Sequence, residues 1–278
     1  MHGTKLTSCV LSLKEDLLKA NLNDKEWNEN EKEARISGDE VYERLGEVMG
    51  GLKKGENIYR TYLDAAMGEV IVIGEHPHQL SSGTTGLSCW QASSVLADLI
   101  CSDSFGYQMK GKSILELGAG CGLAGIAGSK FGKAKNVIMS DVNEKVLQQL
   151  DLNISLNKLS QQVQVLHLDW TSPPPHFPQQ LDFIIAADVV YDVGILPCLV
   201  DVVEKLLRQN EGAVFIICST LRNQDTMTAF ECLIETTSTL SLVEKKIIPP
   251  QESLLFPLTT TITCPTILHV LKTTKNTI

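Results

Sequence analysis

From Gly111 onward the chain settles into one repeating pattern. Short runs rich in Val, Ile and Leu alternate with longer amphipathic segments. The runs are SILEL (113–117), NVIMSD (136–141), VQVLHLD (163–169), LDFIIAAD (181–188) and AVFIICS (213–219). Between them lie helical patterns from about 122, over 144–157, over 195–208 and from about 224. Apolar runs this short, joined by helix-length crossovers, predict parallel strands buried on both faces. The segment 195–208 carries the clearest stripe, with Ile195, Leu199, Val202, Val203 and Leu206 on one side of a helix. The last two runs, LVEKKII (242–248) and TILHVLK (266–272), have no helix pattern between them and are expected to add an antiparallel hairpin. Upstream, IYRTYL (58–63) and EVIVIGE (69–75) flank a turn-like DAAMG and predict a separate β-hairpin.

Charge narrows the partners. The 278 residues hold 24 Lys+Arg against 33 Asp+Glu, a formal net charge of -9. Such a chain has no bulk attraction for nucleic acid or for anionic membranes. Residues 1–60 contain 10 basic and 12 acidic side chains, so the front of the chain is charge-dense but nearly balanced. Residues 1–57 are expected to form a charged, helical or partly disordered extension. The N-terminal stretch has no apolar core of a secretory signal, and no apolar run approaches the ~20 residues of a membrane span. None of the eight cysteines is spaced C-x-x-C, and several sit inside apolar runs. That pattern predicts buried, reduced thiols of a cytoplasmic protein, and no metal site.

The residues that bear chemistry cluster at the predicted strand ends. In LELGAGCGLAGIA (115–127), Glu116 precedes Gly118, Gly120 and Gly122 at two-residue spacing, between a strand and a helix. Glycines there permit a tight turn and close backbone approach to a ligand, and the helix start behind them offers N–H groups to an anion. The spacing is E-x-G-x-G-x-G rather than the dinucleotide G-x-G-x-x-G, and no G-K-[ST] follows. Asp141, at the end of the next run, is placed to bind both hydroxyls of a ribose. Asp169 and Trp170, after the run beyond, suit an adenine, through its exocyclic amine and its face respectively. Asp188 and Tyr191, in AADVVYDVG, lie past the fourth run and near the same sheet edge.

ELGAGCG, Asp141, LDW (168–170) and DVVY (188–191), in this order, resemble the seven-stranded S-adenosyl-L-methionine-dependent methyltransferases. With GTTGLSCW ahead of the glycine motif, the resemblance narrows to the protein-lysine methyltransferase group called family 16. Within it, GTTGLxxWxA, LDW and the late LFPL (255–258) are closest to the members that act on translation elongation factor 2. The resemblance spans about 58–272 and departs from the family at Gln91, where an acid is expected. It implies an α/β, Rossmann-like seven-stranded methyltransferase sheet, mostly parallel, with a C-terminal antiparallel hairpin and helices on both faces. Residues 58–278 would be that domain, with the β-hairpin at its start.

The same resemblance implies site roles. Trp90 would contact the cofactor, S-adenosyl-L-methionine. Gly118, Ala119 and Gly120 would form the floor under its methionine part, and Asp141 would bind its ribose. Asp169 and Trp170 would bracket its adenine, and Ala186 or Ala187 would line the pocket. Asp188 and Tyr191 would orient the target lysine of a protein substrate. Two other classes compete. A nucleic-acid or small-molecule methyltransferase is disfavoured by the absence of an N-P-P-Y-type motif and by the charge. A non-catalytic cofactor-binding module is disfavoured by the retained set Glu116, Asp141, Asp169 and Asp188.

Overall fold

A computed structural model describes residues 58–64, 69–78, 80, 83–102, 108–177, 180–250 and 264–274. The N-terminal extension and the LFPL segment lie outside the described residues. The elements run β1 (Ile58–Asp64), β2 (Glu69–Glu75), α1 (Gln91–Cys101), β3 (Ser113–Leu117), α2 (Leu123–Lys130), β4 (Asn136–Asp141) and α3 (Glu144–Leu156). They continue β5 (Val163–His167), β6 (Phe183–Ala187), α4 (Leu196–Gln209), β7 (Val214–Thr220), α5 (Gln224–Thr236), β8 (Leu240–Ile248) and β9 (Thr266–Thr273). β1 and β2 pair as an antiparallel hairpin, and the other seven strands form one sheet in the order β5-β4-β3-β6-β7-β9-β8. β3 to β7 are mutually parallel, while β9 runs antiparallel to both β7 and β8. The expected C-terminal hairpin is therefore present, with its second strand inserted between β7 and β8.

Pleating divides the apolar strand residues between two cores. Ile114, Ile185 and Ile216 face a core shared with α1, α2, α3 and the hairpin. Leu115, Ile184 and Phe215 face a second core under α4 and α5. Helices thus cover both faces, as a sheet without a polar face requires. α4 shows the mechanism: Leu199, Val202, Val203 and Leu206 are buried, whereas Asp201 and Arg208 face solvent. Ile195 falls just before the helix, whose first turn carries Pro197.

The hairpin is joined to the domain by amides, which hydropathy alone does not reveal. Gln149 and Asn153 on α3 and its C-cap residue Asn157 form one buried stripe, at successive four-residue steps. Asn157 accepts from the Val72 N–H at 3.0 Å and donates to its carbonyl at 2.7 Å. Asn153 accepts from the Gly74 N–H at 2.8 Å and donates to Gly74 O at 3.0 Å and Cys121 O at 2.8 Å. Gln149 also donates to Gly74 O, at 2.9 Å. These side chains serve β2 as a neighbouring strand would, satisfying backbone groups that burial would otherwise strand. The bond to Cys121 carries the tie into the glycine loop. Asn153 is also the first residue of an N-x-S sequon, and its complete burial removes it as a glycosylation acceptor in the folded chain.

Replacing Asn153 by Ala leaves the Gly74 N–H and the Cys121 carbonyl without this partner. Urea denaturation is expected to show a loss of about 2–3 kcal/mol; a loss below about 0.5 kcal/mol would refute the anchoring role.

Candidate active site

The chain leaves β3 outward to β4 and β5, then returns to place β6 on β3's other side. Ligands of open α/β sheets bind at the carboxyl ends of the strands beside such a reversal. A cavity of about 630 Å³ lies there, large enough for a nucleoside-sized ligand. Trp90, Glu116, Gly118, Ala119, Gly120, Gly122, Asp141, Asp169, Trp170, Ala187, Asp188 and Tyr191 all line it. Ala186 does not. It faces the opposite pleat and is fully buried in the core under α4. Only one of two adjacent strand residues can face the cavity.

The floor is the glycine loop. Gly122 caps α2 with φ +82°, and a Cβ there would lie 2.7 Å from Leu150 Cδ2. Gly118 has φ +62°, and its Cβ would meet Val189 at 2.8 Å and the Trp170 ring at 3.3 Å. Both sites need glycine for conformation and for space. The free N–H groups expected at the start of α2 are partly spent inside the protein. Gly125 N–H, in the first turn, donates to Glu116 Oε2 at 2.9 Å. Glu116 is the penultimate residue of β3, and its side chain is buried against α2. Burial pushes its carboxyl up to about 8, opposed by the Gly125 bond and reinforced by the nearby Asp141 charge. At neutral pH it is mostly a neutral acid.

The next two acids differ from it. Asp141 ends β4 and accepts from Asn143 N–H at 3.1 Å and, at 3.3 Å, from Gly120 N–H. Burial raises its pKa, while those backbone donors oppose the rise. Asp169 stands two residues beyond β5, which ends at His167 rather than at the predicted 169. The Thr171 hydroxyl and N–H both donate to it, at 2.7 and 2.8 Å, and lower its pKa. Its neighbour Trp170 packs over Gly118.

Asp188 accepts five hydrogen bonds at the site. It has φ +57° and a side chain only 3% exposed. Oδ1 accepts from Thr220 N–H at 2.8 Å and Arg222 at 3.1 Å. Oδ2 accepts from the Thr220 hydroxyl at 2.9 Å, Ala92 N–H at 3.0 Å and Arg222 at 3.2 Å. It thereby supplies the cap that Trp90, at the N-cap of α1, does not. Tyr191 stands at the mouth, 64% exposed.

Two further contributors surround these residues. Arg222 lines the cavity, pairs with Asp188 and lies 4.9 Å over the Trp90 ring. Loop 83–90 covers the glycine floor: Trp90 Nε1 donates to Thr85 O at 3.0 Å, and Cys121 Sγ approaches Gly86 O at 3.6 Å. The GTTGLSCW motif pointed to this loop, whereas an arginine past β7 carried no pattern. Gln91, the departure from the family, ties the start of α1 to Cys264 O at 2.6 Å. Glu75, Cys89 and Cys121 bring metal-ligand atoms within 4.8 Å of one another. Both Glu75 oxygens are already used, by Arg60 and by Cys89 N–H, so the group clamps the hairpin to loop 83–90. Among the described residues, the cavity lining holds five acids (Glu116, Asp141, Asp169, Asp188 and Asp192) against one Lys or Arg, Arg222.

A family described as lysine methyltransferase matches residues 75–237, more than half of the chain. The chain belongs to the lysine methyltransferase family. The human protein-lysine N-methyltransferase EEF2KMT is 34% identical over 208 residues, which are 69% of this chain and 62% of that relative. The protein-lysine N-methyltransferase EFM3 of Chaetomium thermophilum is 33% identical over 159 residues, 54% of this chain and 47% of that one. This lysine methyltransferase family member thus spans about half to three fifths of the length of these two relatives. Among solved structures, that of SMU.776 complexed with SAH matches with a TM-score of 0.53 at 15% identity, covering 80% of this chain and 57% of that one. That likeness shows the Rossmann-like fold.

The buried Glu116 makes a pH test of this family member's floor. Its folded pKa, about 8, lies above the ordinary 4.5. The folded state therefore binds the proton more tightly, and that contribution to stability is complete below pH 4.5 and lost as pH rises through 8. Glu116→Gln retains an acceptor for Gly125 but does not ionise. Thermal unfolding from pH 5 to 9 is expected to show a decline in the parent protein, on the order of a few kcal/mol, and a flatter profile in the variant. Parallel profiles would refute the assignment.

Proposed function

We propose that the chain is an S-adenosyl-L-methionine-dependent protein-lysine N-methyltransferase that modifies a lysine of translation elongation factor 2 in the cytoplasm. The observation that carries this reading is the acid-lined cavity at the sheet reversal of a chain from the lysine methyltransferase family. The substrate is supported by the GTTGLxxWxA and LDW motifs and by the similarity to EEF2KMT. No helix among the described residues is long and apolar enough to cross a membrane. Residues 58–278 would form the catalytic domain, and 1–57 a separate lead-in.

The residues present fit this cofactor. Gly118 and Gly120, which carry no side chain, line the cavity together with Asp141, Asp169 and Trp170, so bare backbone faces the ligand space beside acceptors for hydroxyls and an amine. When bound, S-adenosyl-L-methionine supplies a methyl group activated by a sulfonium. Gly118, Ala119 and Gly120 would hold its methionine part. Asp141 would accept from the ribose hydroxyls, and Asp169 with Trp170 would hold the adenine. Trp90 would close the cavity from the side of loop 83–90.

The protein's task is then alignment and control of one proton. A free lysine amine has a pKa of about 10.4 and must be neutral to attack. A cavity that strips water from the amine, next to a cationic sulfonium, favours the neutral form. Asp188 would receive the entering amine, Tyr191 would wall its channel, and much of the acceleration would come from alignment. An acidic mouth also attracts a cationic side chain.

Labelled cofactor added to a cell extract should mark one protein band near the size of elongation factor 2, unaffected by nuclease. Label in RNA would instead support a nucleic-acid substrate. The two halves of the cavity should separate by mutation. Asp141→Ala is expected to weaken cofactor binding by roughly ten- to a hundredfold in calorimetry, an order set by lost charge-assisted hydrogen bonds. Asp188→Asn, which keeps one acceptor oxygen for α1, is expected to abolish methylation with cofactor affinity within a few-fold. Equal loss of affinity in both variants would overturn this division.

A further inference from the structure

The carboxylate assigned to the lysine has no acceptor site left. Its two oxygens offer about four lone-pair positions, yet five donor contacts reach them. Three of these come from fixed groups: the Ala92 N–H at the start of α1, and the N–H and hydroxyl of Thr220 at the end of β7. The other two come from a single long side chain, Arg222, which forks across both oxygens. Its side chain is 42% exposed, while the carboxylate beneath it is 3% exposed. Arg222 is therefore the partner that can leave without unfolding a strand or helix end. It lies over the Trp90 ring, which accommodates a cation on its face.

We propose that Arg222 is a positioning residue that holds the target lysine's seat: its guanidinium occupies Asp188 until the substrate ammonium displaces it. This rests on the methyltransferase function proposed above. The pair keeps a buried carboxylate compensated while no substrate is present, since an unpartnered charge there would be costly. It also makes entry a competition. A lysine must bring enough contact elsewhere on its protein to displace an internal cation, so free lysines and short peptides are disfavoured. A half-exposed ion pair is weak enough to exchange.

Two variants test the seat. R222A removes the competitor. Its KM for the protein substrate is expected to fall about two- to fivefold, the range set by a half-exposed ion pair, with kcat within about twofold. R222K places an amine on Asp188 beside the cofactor cavity. Incubated with S-adenosyl-L-methionine and no other protein, it is expected to methylate itself at position 222. The neutral amine there forms the N–C bond, the C–S bond breaks with its electron pair going to sulfur, and the amine's extra proton passes to water. Mass spectrometry of the digested protein reads the added methyl, and R222K combined with Asp188→Asn should lack it. Position 222 free of methyl in an R222K protein that binds cofactor overturns the proposal. So does a KM in R222A that is unchanged or raised while the unmutated protein is active. If the unmutated protein binds cofactor but labels no protein at all, the proposed function fails and the seat falls with it.

Discussion

The Asp188 carboxylate joins the end of β6, the end of β7 and the start of α1 at a single buried point. β7 brings the Thr220 N–H and hydroxyl, and α1 brings the Ala92 N–H. A carboxylate meets such donors better than a neutral side chain, because its bonds are charge-assisted. Its left-handed backbone, φ +57°, turns the chain off β6 so that the side chain points back into the junction. The cavity's wall at Trp90 is held at this junction, through the Ala92 N–H and through Arg222 over the Trp90 ring. Under the proposed function, the group that fixes the wall also receives the substrate.

The acids around the cavity do different work because their surroundings differ. Glu116 is sealed under the glycine loop, bonded to one N–H, and largely neutral. Asp141 is half-buried and meets two backbone donors. Asp169 is half-buried and held by the Thr171 hydroxyl and N–H. Asp188 is compensated by an arginine. Under the proposed function, the four acids at one sheet edge are one neutral group, two acids at the cofactor end and one carboxylate beneath a displaceable arginine. The net charge of -9 hides this division.

Most of the sheet was legible because β-branched runs and amphipathic stripes report burial directly. SILEL, NVIMSD and EVIVIGE match their strands residue for residue. The errors fall where burial stops being the deciding force. β5 ends at His167 because Leu168 and Asp169 turn into the site. Ala186 and Ala187 look alike in sequence, and only the pleat decides which one faces the cavity. The amide stripe on α3 reads as a solvated helix face, since Asn and Gln are buried only when they find backbone partners, and those lie about 80 residues upstream. Arg222 is 34 residues from Asp188, and no local spacing announces that pairing.

The most direct measurement is a crystal structure of the protein with S-adenosylhomocysteine and a lysine-bearing segment of its substrate. The lysine nitrogen is expected within hydrogen-bond distance of an Asp188 oxygen, with Arg222 swung away and the bonds from Ala92 and Thr220 intact. A lysine seated elsewhere, with the Arg222–Asp188 pair undisturbed, would contradict it.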